Sequence, residues 1–182
     1  MTDASVDVRA AELESLAKAL VQIPTENPPG EESAAASFVF DWFERAGIDA
    51  TLLDDPDPDR QQVGARIGDG GPTVVLNGHL DVVSAGDPDV WSVDPYAGVV
   101  EDGRLYGRGS ADMKTGLALA MLVARDLAPA IRDGTYAGSV VVHAAMGEET
   151  ADPGTKRLLE RGFDGDYGIV LEPTGLRVAT ST

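Results

Sequence analysis

The stretch from Val74 to Val83 reads VVLNGHLDVV and decides the fold class. A continuous apolar run of this kind is typical of a strand inside a sheet that is covered on both faces. His79 and Asp81 interrupt the run where the strand is expected to end. Two such residues are unusual choices for packing alone, so they predict a functional site at the strand's carboxyl end.

Helical and strand patterns alternate around this run. Helices are predicted at 6–23, 31–47, 111–128 (ended by Pro129) and 153–162. Strands are predicted at 48–54, 61–68, 72–78, 138–146 and 167–173, with a hairpin over 98–107 turning at Asp102-Gly103. This order predicts an α/β domain with a mainly parallel twisted sheet flanked by helices.

The composition excludes several classes of function. The 182 residues suffice for one domain with a buried core, and their apolar stretches are too short to cross a bilayer. The absence of cysteine excludes disulfides and thiolate metal ligands. The chain has 31 acidic and 14 basic residues, for a formal net charge of -17. Because this charge repels anionic surfaces, neither nucleic acid nor a membrane surface is expected as a partner.

The charge also bears on the environment of the protein. Lysine occurs only at positions 18, 114 and 156, and acidic runs such as DDPDPDR (54–60) fall where loops are expected. We interpret this pattern as halophilic, typical of a high-salt cytoplasm where screening removes most self-repulsion; an ordinary acidic protein is the alternative. The N-terminus has no signal-peptide pattern, so a cytoplasmic location is expected.

Candidate metal ligands follow four separate segments of the predicted domain. They are His79 and Asp81, Asp112, Glu148 and Glu149, and Glu172. Imidazole and carboxylate groups suit zinc or a similar divalent ion. In a His-x-Asp pair one residue can bind metal while the other accepts the second imidazole N–H. Of two adjacent glutamates, one can bind metal while the other takes a proton from water.

Each residue also has a purely structural interpretation. A lone histidine is more often a buried, hydrogen-bonded residue than a ligand, and this is the interpretation we adopt for His143, which lies within an apolar strand. Asp112 alone would be a helix N-cap, and Glu148-Glu149 a solvated helix start. The segment GRGSADMKTG resembles a phosphate loop only weakly, because Met113 stands where glycine is needed.

The order of the motifs resembles one known family. IPTENPPGEE, NGHLDVVSAGDPDVWSVDPY, DGRLYGRGSADMKTG, MGEET and VLEPTG resemble, in order, motifs of the metalloaminoacylase and metallopeptidase family. Its members include acetylornithine deacetylase, succinyl-diaminopimelate desuccinylase, aminoacylase and glutamate carboxypeptidase. The resemblance covers nearly the whole chain and implies a zinc-exopeptidase-like catalytic domain and a role in amino-acid biosynthesis.

The resemblance also implies roles for individual residues. His79 and Glu172 would bind the first metal, Glu149 the second, and Asp112 both, with a cis peptide bond after it. Asp81 would orient the His79 ring. The implied metal is Zn²⁺, two ions in a full-length member, with Co²⁺ as a substitute.

The implied reaction is hydrolysis of an amide bond. Glu148 would act as general base, taking a proton from the attacking water and later giving it to the leaving amine. The substrate would be an N-acyl amino acid or a small peptide. The segment GHLDVVSAGDPDVWSVDPY slightly favours the deacetylase and desuccinylase branch of the family.

The chain departs from the family pattern in two ways. The family's second metal needs a C-terminal histidine, and His143 is not at that position, so the first site (His79, Asp112, Glu172) is complete and the second is not. The lid or dimerisation domain expected after VLEPTG is also missing. Residues 1–182 therefore resemble the N-terminal portion of the catalytic domain, with a homodimer expected only if the lid domain is supplied.

Two interpretations of function follow from these departures. The leading one is a metallohydrolase of the deacylase type, seen as a fragment, a truncation or a split gene. The alternative is a truncated, non-catalytic remnant that binds metal or a partner. For the leading interpretation, we expect the sheet to leave an edge and an apolar face exposed, because C-terminal segments complete the sheet in a full-length member.

Overall fold

The computed structural model describes residues 4–175 and 177–178. The helices are α1 (Ala4–Val21), α2 (Ser33–Arg45), α3 (Thr115–Arg132) and α4 (Pro153–Glu160). The strands are β1 (Asp49–Leu53), β2 (Gln62–Ile67), β3 (Thr73–His79), β4 (Val99–Glu101), β5 (Arg104–Tyr106), β6 (Ser139–Ala145) and β7 (Tyr167–Val170). Among the described helices, none combines the length and apolar character needed to cross a membrane.

Five strands form the central sheet in the order β1-β2-β6-β3-β7. The β6, β3 and β7 strands are parallel neighbours, whereas β2 runs antiparallel to both β1 and β6. Four of the five strands therefore point the same way, and the prediction of an α/β domain with a mainly parallel sheet is confirmed. The carboxyl ends of β6, β3 and β7 meet at one edge, where ligands of open α/β sheets bind.

Both faces of β6 are covered, since all seven of its residues are buried. Val140, Val142 and Ala144 belong to the main core, which also contains side chains from α1, α2 and α3. The opposite face of the strand carries His143, whose Nε2 lies 2.7 Å from the main-chain oxygen of Phe163. Alternate residues of a strand face opposite sides, so α4 and the segment after it form the second layer.

Gly78 lies in the apolar run of β3 because this position has little room for a side chain. A Cβ atom at this position would lie 3.2 Å from Met113 Cε and 3.4 Å from Leu117 Cβ. The absence of a side chain therefore allows the start of α3 to pack closely against the end of β3. This packing brings the segment that contains Asp112 beside His79.

Both boundaries of the third helix were predicted wrongly. The helix predicted at 111–128 begins at Thr115 instead, and it continues through Pro129 to Arg132. A proline removes only one helical hydrogen bond, and the last turn is held by Asp133 N–H donating to the Pro129 oxygen at 3.0 Å. Buried Ala128 and the packing of Ile131 against the core favour continuation of the helix.

The two smaller expectations for loops and edges are confirmed. The β4-β5 hairpin turns at Asp102 and Gly103, both with positive φ. At the sheet edge, β7 is exposed along its whole length, with Tyr167, Ile169 and Val170 each more than half exposed. Within the described residues, this strand is the exposed edge that the sequence predicts.

Candidate metal centre

Three ligand-type side chains converge at the carboxyl edge of the sheet. His79 Nε2 lies 3.3 Å from Asp112 Oδ1 and 3.4 Å from Glu172 Oε1. Donor atoms of the three residues all lie within 4.8 Å of one another. The edge of a tetrahedron with Zn–ligand bonds of about 2.0–2.1 Å is ~3.3 Å, so the two distances from the imidazole suit one small divalent ion.

His79 is held in the tautomer that a metal ligand needs. The residue is buried, and its Nδ1 lies 2.8 Å from the main-chain oxygen of Asp81. Because a carbonyl oxygen can only accept, Nδ1 carries a proton and donates it. In the neutral ring this leaves the Nε2 lone pair facing Asp112 and Glu172.

Asp81 contacts the His79 ring through its main chain and not through its carboxylate. The main-chain oxygen of Asp81 accepts the imidazole N–H, whereas its Oδ1 lies 3.6 Å from His79 Nδ1, beyond hydrogen-bond distance. The fully buried carboxylate instead accepts the main-chain N–H groups of Glu148 and Glu149, each at 3.1 Å. Asp81 is thus placed to orient the His79 ring through its main-chain oxygen, and this role stays a prediction.

Asp112 lies in an irregular turn that precedes α3. Its φ and ψ are -121° and 100°, and the peptide bond to Met113 is cis, as the resemblance implies. Lys114 anchors this turn, since its buried Nζ donates to the main-chain oxygens of Leu20 and Ile23 at 3.1 and 2.6 Å. Burial lowers the pKa of Lys114 to about 7.

Glu172 reaches the site because the chain after β7 crosses the first turn of α3. A Cβ at Gly116 would lie 2.6 Å from the main-chain oxygen of Leu171, so the two segments are in direct backbone contact. Leu171 N–H also donates to the Asn77 oxygen at 3.1 Å, which continues the pairing with β3. The carboxylate of Glu172 is thereby brought to within 3.4 Å of His79.

Glu148 and Glu149 lie on a tight turn after β6. Gly147 opens the turn with a φ of 78°, a conformation that favours glycine, and its oxygen accepts the Asp152 N–H at 2.9 Å. Glu148 Oε2 lies 3.8 Å from His79 Nε2. Glu149 stands outside the group of three converging ligands, and its Oε1 accepts the Val83 N–H at 3.3 Å.

The electrostatics of the cluster favour a cation. Burial and the neighbouring Asp112 raise the pKa of Glu172 to about 7, against the opposite influence of His79. Burial and Asp112 also raise the pKa of Glu149. Burial would lower the pKa of His79, but Asp81 and Glu172 outweigh it and raise that pKa. Crowded carboxylates around one imidazole are the environment that a divalent ion neutralises.

His143 has the structural part that the sequence analysis assigned to it. Its Nε2–H donates to the Phe163 oxygen at 2.7 Å, and its Nδ1 lies 3.2 Å from Asn77 Nδ2, which also donates to Thr155 Oγ1 at 3.0 Å. Both ring nitrogens are therefore satisfied away from the metal centre. Burial lowers the pKa of His143 below its ordinary value of 6.5.

Comparison with known sequences decides the family. Residues 75–181, more than half of the chain, match Peptidase family M20/M25/M40. The chain belongs to this family.

Curated relatives of this M20/M25/M40 chain include two desuccinylases. It is 39% identical over 169 residues to the succinyl-diaminopimelate desuccinylase of Methylorubrum extorquens, covering 88% of this chain and 43% of the relative. It is 34% identical over 158 residues to a probable succinyl-diaminopimelate desuccinylase of Staphylococcus aureus, covering 86% of this chain and 38% of the relative. The chain thus spans less than half the length of these relatives.

Solved structures support the same fold. The M20 metallo-carboxypeptidase Sso-CP2 of Sulfolobus solfataricus superposes with a TM-score of 0.76 at 20% identity, over 87% of this chain and 37% of that one. Human carnosine dipeptidase 1 gives a TM-score of 0.67 at 24% identity, over 91% and 39% of the two chains. The observed fold is therefore that of M20-family catalytic domains.

Sequence reasoning on this M20/M25/M40 chain missed three residues that support the site. The sequence places Lys114 among three lysines and in a weak phosphate-loop resemblance, and it places Asn27 and Thr150 only within motifs. Asn27 is buried, and its Nδ2 donates to Asp81 Oδ2 at 2.8 Å and to Thr150 Oγ1 at 3.1 Å. The available signal was a polar residue inside a proline-rich loop, which does not identify partners 54 and 123 residues away.

Proposed function

We propose that this chain carries the metal-binding and proton-transfer groups of a hydrolase that cleaves the amide bond of N-acyl amino acids or small peptides. The single observation that carries the proposal is the convergence of Asp112 and Glu172 on His79 Nε2, at 3.3 and 3.4 Å. Membership of the M20/M25/M40 family and the desuccinylase relatives support the reaction class.

Different residues of the chain would bind the metal ions and transfer the proton. His79, Asp112 and Glu172 would hold one divalent ion, and Asp112 with Glu149 would contribute to a second. A bound divalent ion supplies Lewis acidity, which polarises the scissile carbonyl and makes the attacking water a stronger acid. Glu148, whose carboxylate is half-exposed and 3.8 Å from His79 Nε2, takes the proton of that water and passes it to the leaving amine.

Zn²⁺ is the proposed physiological ion, with Co²⁺ as a substitute. His79, Asp112 and Glu172 would supply one imidazole and two carboxylates, a donor set that would suit Zn²⁺. The complete first site would bind one ion in this chain. The remaining ligand of the second site would come from outside these 182 residues.

A cleft beside the site offers room for a small substrate. It has a volume of about 350 Å³ and reaches both Glu148 and Glu172. Its wall combines apolar Val75 and Val170 with polar Asn77. A partly apolar cleft with a few polar groups is the usual form of a small-molecule site, and it supports an acyl amino acid more than a macromolecule as substrate.

We also propose that these residues form the N-terminal portion of a longer catalytic unit. The relatives' greater length supports this division, because the aligned region covers 43% of the first relative and 38% of the second. Groups that select the substrate and stabilise the oxyanion, and any dimer contact, would then lie in the other portion. The acidic composition supports a cytoplasm of high salt as the working environment.

A second candidate function is a non-catalytic metal-binding remnant that docks with a partner. The observation in its favour is the exposed β7 edge, where Tyr167, Ile169 and Val170 are 54–65% exposed. Unpaired edge strands and apolar surface are features of binding sites for other chains.

Hydrolysis assays separate the two candidates. The chain is loaded with Zn²⁺ or Co²⁺ and offered N-succinyl-diaminopimelate, N-acetylornithine and a dipeptide, and amine release is measured. The hydrolase proposal predicts slow, metal-dependent release from one of these compounds, abolished by a chelator. Because part of the site is proposed to lie outside these residues, the assay is repeated with the C-terminal portion of a desuccinylase relative added; a folded, metal-loaded chain that still releases no amine supports the remnant instead.

A further inference from the structure

The carboxylate of Asp81 is the centre of a buried hydrogen-bond network beneath the candidate site. It is fully buried and accepts N–H groups from Glu148, from Glu149 and from the side chain of Asn27. A buried carboxylate requires such donors, because an ion without them would pay a large desolvation cost. The carboxylate is therefore held in place by its donors.

Asn27 is placed for this contact by its own backbone. The segment 25–27 runs parallel to 80–82 beyond the end of β3, with Asn27 N–H donating to the Val82 oxygen and Val82 N–H to the Thr25 oxygen, both at 2.9 Å. Thr25 Oγ1 donates to the Leu80 oxygen at 2.7 Å. These bonds fix the Asn27 side chain, which is 4% exposed.

The amide of Asn27 joins two sides of the glutamate turn. One N–H of Nδ2 points to Asp81 Oδ2 at 2.8 Å, and the other to Thr150 Oγ1 at 3.1 Å. Thr150 Oγ1 in turn donates to the Gly147 oxygen at 3.3 Å. Asn27 thus acts on the turn from both ends, directly at Thr150 and through Asp81 at Glu148 and Glu149.

We propose that Asn27 is a positioning residue whose amide, through Asp81 and Thr150, fixes the turn that carries Glu148 and Glu149. The inference rests on the proposed function for the roles of those two glutamates. Its structural content, that Asn27 holds their main-chain N–H groups on Asp81, is independent of metal and substrate. Through the hydrogen bonds of Asn27, the network connects the motif IPTENPPGEE to the motif MGEET.

The test uses Asn27→Asp, which keeps the size of the side chain but removes both donors and places a carboxylate against Asp81. Asn27→Ala removes the donors without adding charge. It replaces Asn27→Asp in the measurement if that variant does not fold. Thr25→Val is the matched control, because it removes a buried hydrogen bond from the same segment without touching Asp81. Amide hydrogen exchange of Glu148 and Glu149 is measured by ¹⁵N NMR on metal-free protein.

The proposal predicts that exchange at Glu148 and Glu149 accelerates about tenfold or more beyond the change at amides of β6 in the Asn27 variants. In Thr25→Val the two groups of amides change together. Equal changes at the turn and at β6 in the Asn27 variants would overturn the proposal.

A Co²⁺ titration followed by visible absorption separates this inference from the proposed function. Because the first-site ligands lie outside the turn, Asn27→Ala should bind the first Co²⁺ with an affinity within about threefold of the parent. If neither protein binds Co²⁺, the proposed function fails while the amide exchange still decides the part of Asn27. If Asn27→Ala alone loses the first Co²⁺, Asn27 supports the whole strand end rather than the turn, and the proposal is wrong.

Discussion

The Nδ1 atom of His79 lies 2.8 Å from the main-chain oxygen of Asp81, two residues along the chain. This local contact fixes the imidazole with its Nε2 toward Asp112 and Glu172, and it leaves the Asp81 carboxylate free to bind the turn of Glu148 and Glu149. One short segment therefore positions the candidate metal ligand His79 through its backbone and the turn of the proposed base Glu148 through a side chain.

Replacing Asp81 by Asn separates these two parts. Because the ring is held by a main-chain oxygen, Asp81→Asn should keep Zn²⁺ affinity within about threefold of the parent, whereas loss of a ring-orienting carboxylate costs about 10–100-fold. The lost charged hydrogen bonds should lower the free energy of unfolding by about 1.5–3 kcal/mol. Zn²⁺ titration and urea unfolding measure the two effects.

The matched control for that substitution is Asp89→Asn, at an exposed aspartate. It should change neither quantity. A tenfold or larger loss of Zn²⁺ affinity in Asp81→Asn would show that the carboxylate does act on the His79 ring.

Replacing Glu148 by Gln tests the proposed general base. The variant keeps the size of the side chain but cannot take a proton, so kcat for amide hydrolysis should fall about 10²–10⁴-fold. Bound Zn²⁺ should stay unchanged, because Glu148 is outside the group of His79, Asp112 and Glu172. Glu160→Gln, at an exposed glutamate paired with Arg157, is the control. Unchanged kcat in Glu148→Gln would assign the proton transfer elsewhere.

The two histidines should titrate on opposite sides of pH 6.5. In metal-free protein the neighbouring carboxylates raise the pKa of His79, and burial lowers the pKa of His143. Since the chain has only these two imidazoles, NMR titration resolves both, and His143→Asn assigns the signals. The opposite order of pKa values would contradict the structure.

The lowered pKa of His143 also predicts a pH dependence of stability. Between the folded pKa and about 6.5, the unfolded state binds more protons at this residue, so its contribution to stability increases with pH across that window. The difference in unfolding free energy between the parent and His143→Asn should therefore grow as pH rises toward 6.5. A difference independent of pH across the window would contradict the assignment.

The net charge of -17 predicts stabilisation by salt. Raising KCl from 0.1 to 2 M shortens the screening length from about 10 Å to below ~3 Å, which weakens the repulsion between surface carboxylates. We expect Tm to rise by about 5 °C or more, equivalent to roughly 2 kcal/mol for a chain of this size. Calorimetry in KCl and in sucrose of equal osmolality measures the change in Tm. An equal rise of Tm in the two solutes would contradict a halophilic surface.

The general architecture and the convergence of the candidate ligands could be predicted from sequence because both follow from local patterns. Apolar runs predicted strands β3, β6 and β7, and the carboxyl ends of parallel strands lie at one edge of a sheet, so the residues at and after these ends converge. His79 and Glu172 were found in this way. Asp112 was found by its place between a hairpin and a helix, which is also a local signal.

The remaining details depend on tertiary contacts that no local pattern encodes. Whether the His79 ring meets the carboxylate or the carbonyl of Asp81 depends on the backbone path at the strand end. The position of Asn27 depends on a pairing with residues 54 positions later. The continuation of α3 past Pro129 depends on packing of its last turn, which outweighs the loss of one hydrogen bond.

The most direct test of the account is the amount of zinc that the purified chain retains after dialysis, measured by elemental analysis in 2 M KCl. The convergence of Asp112 and Glu172 on His79 Nε2 predicts about one zinc per chain in the parent, loss of that zinc in His79→Ala, and its retention in His143→Asn. A folded parent without zinc, or a His79→Ala variant that keeps it, would contradict the account.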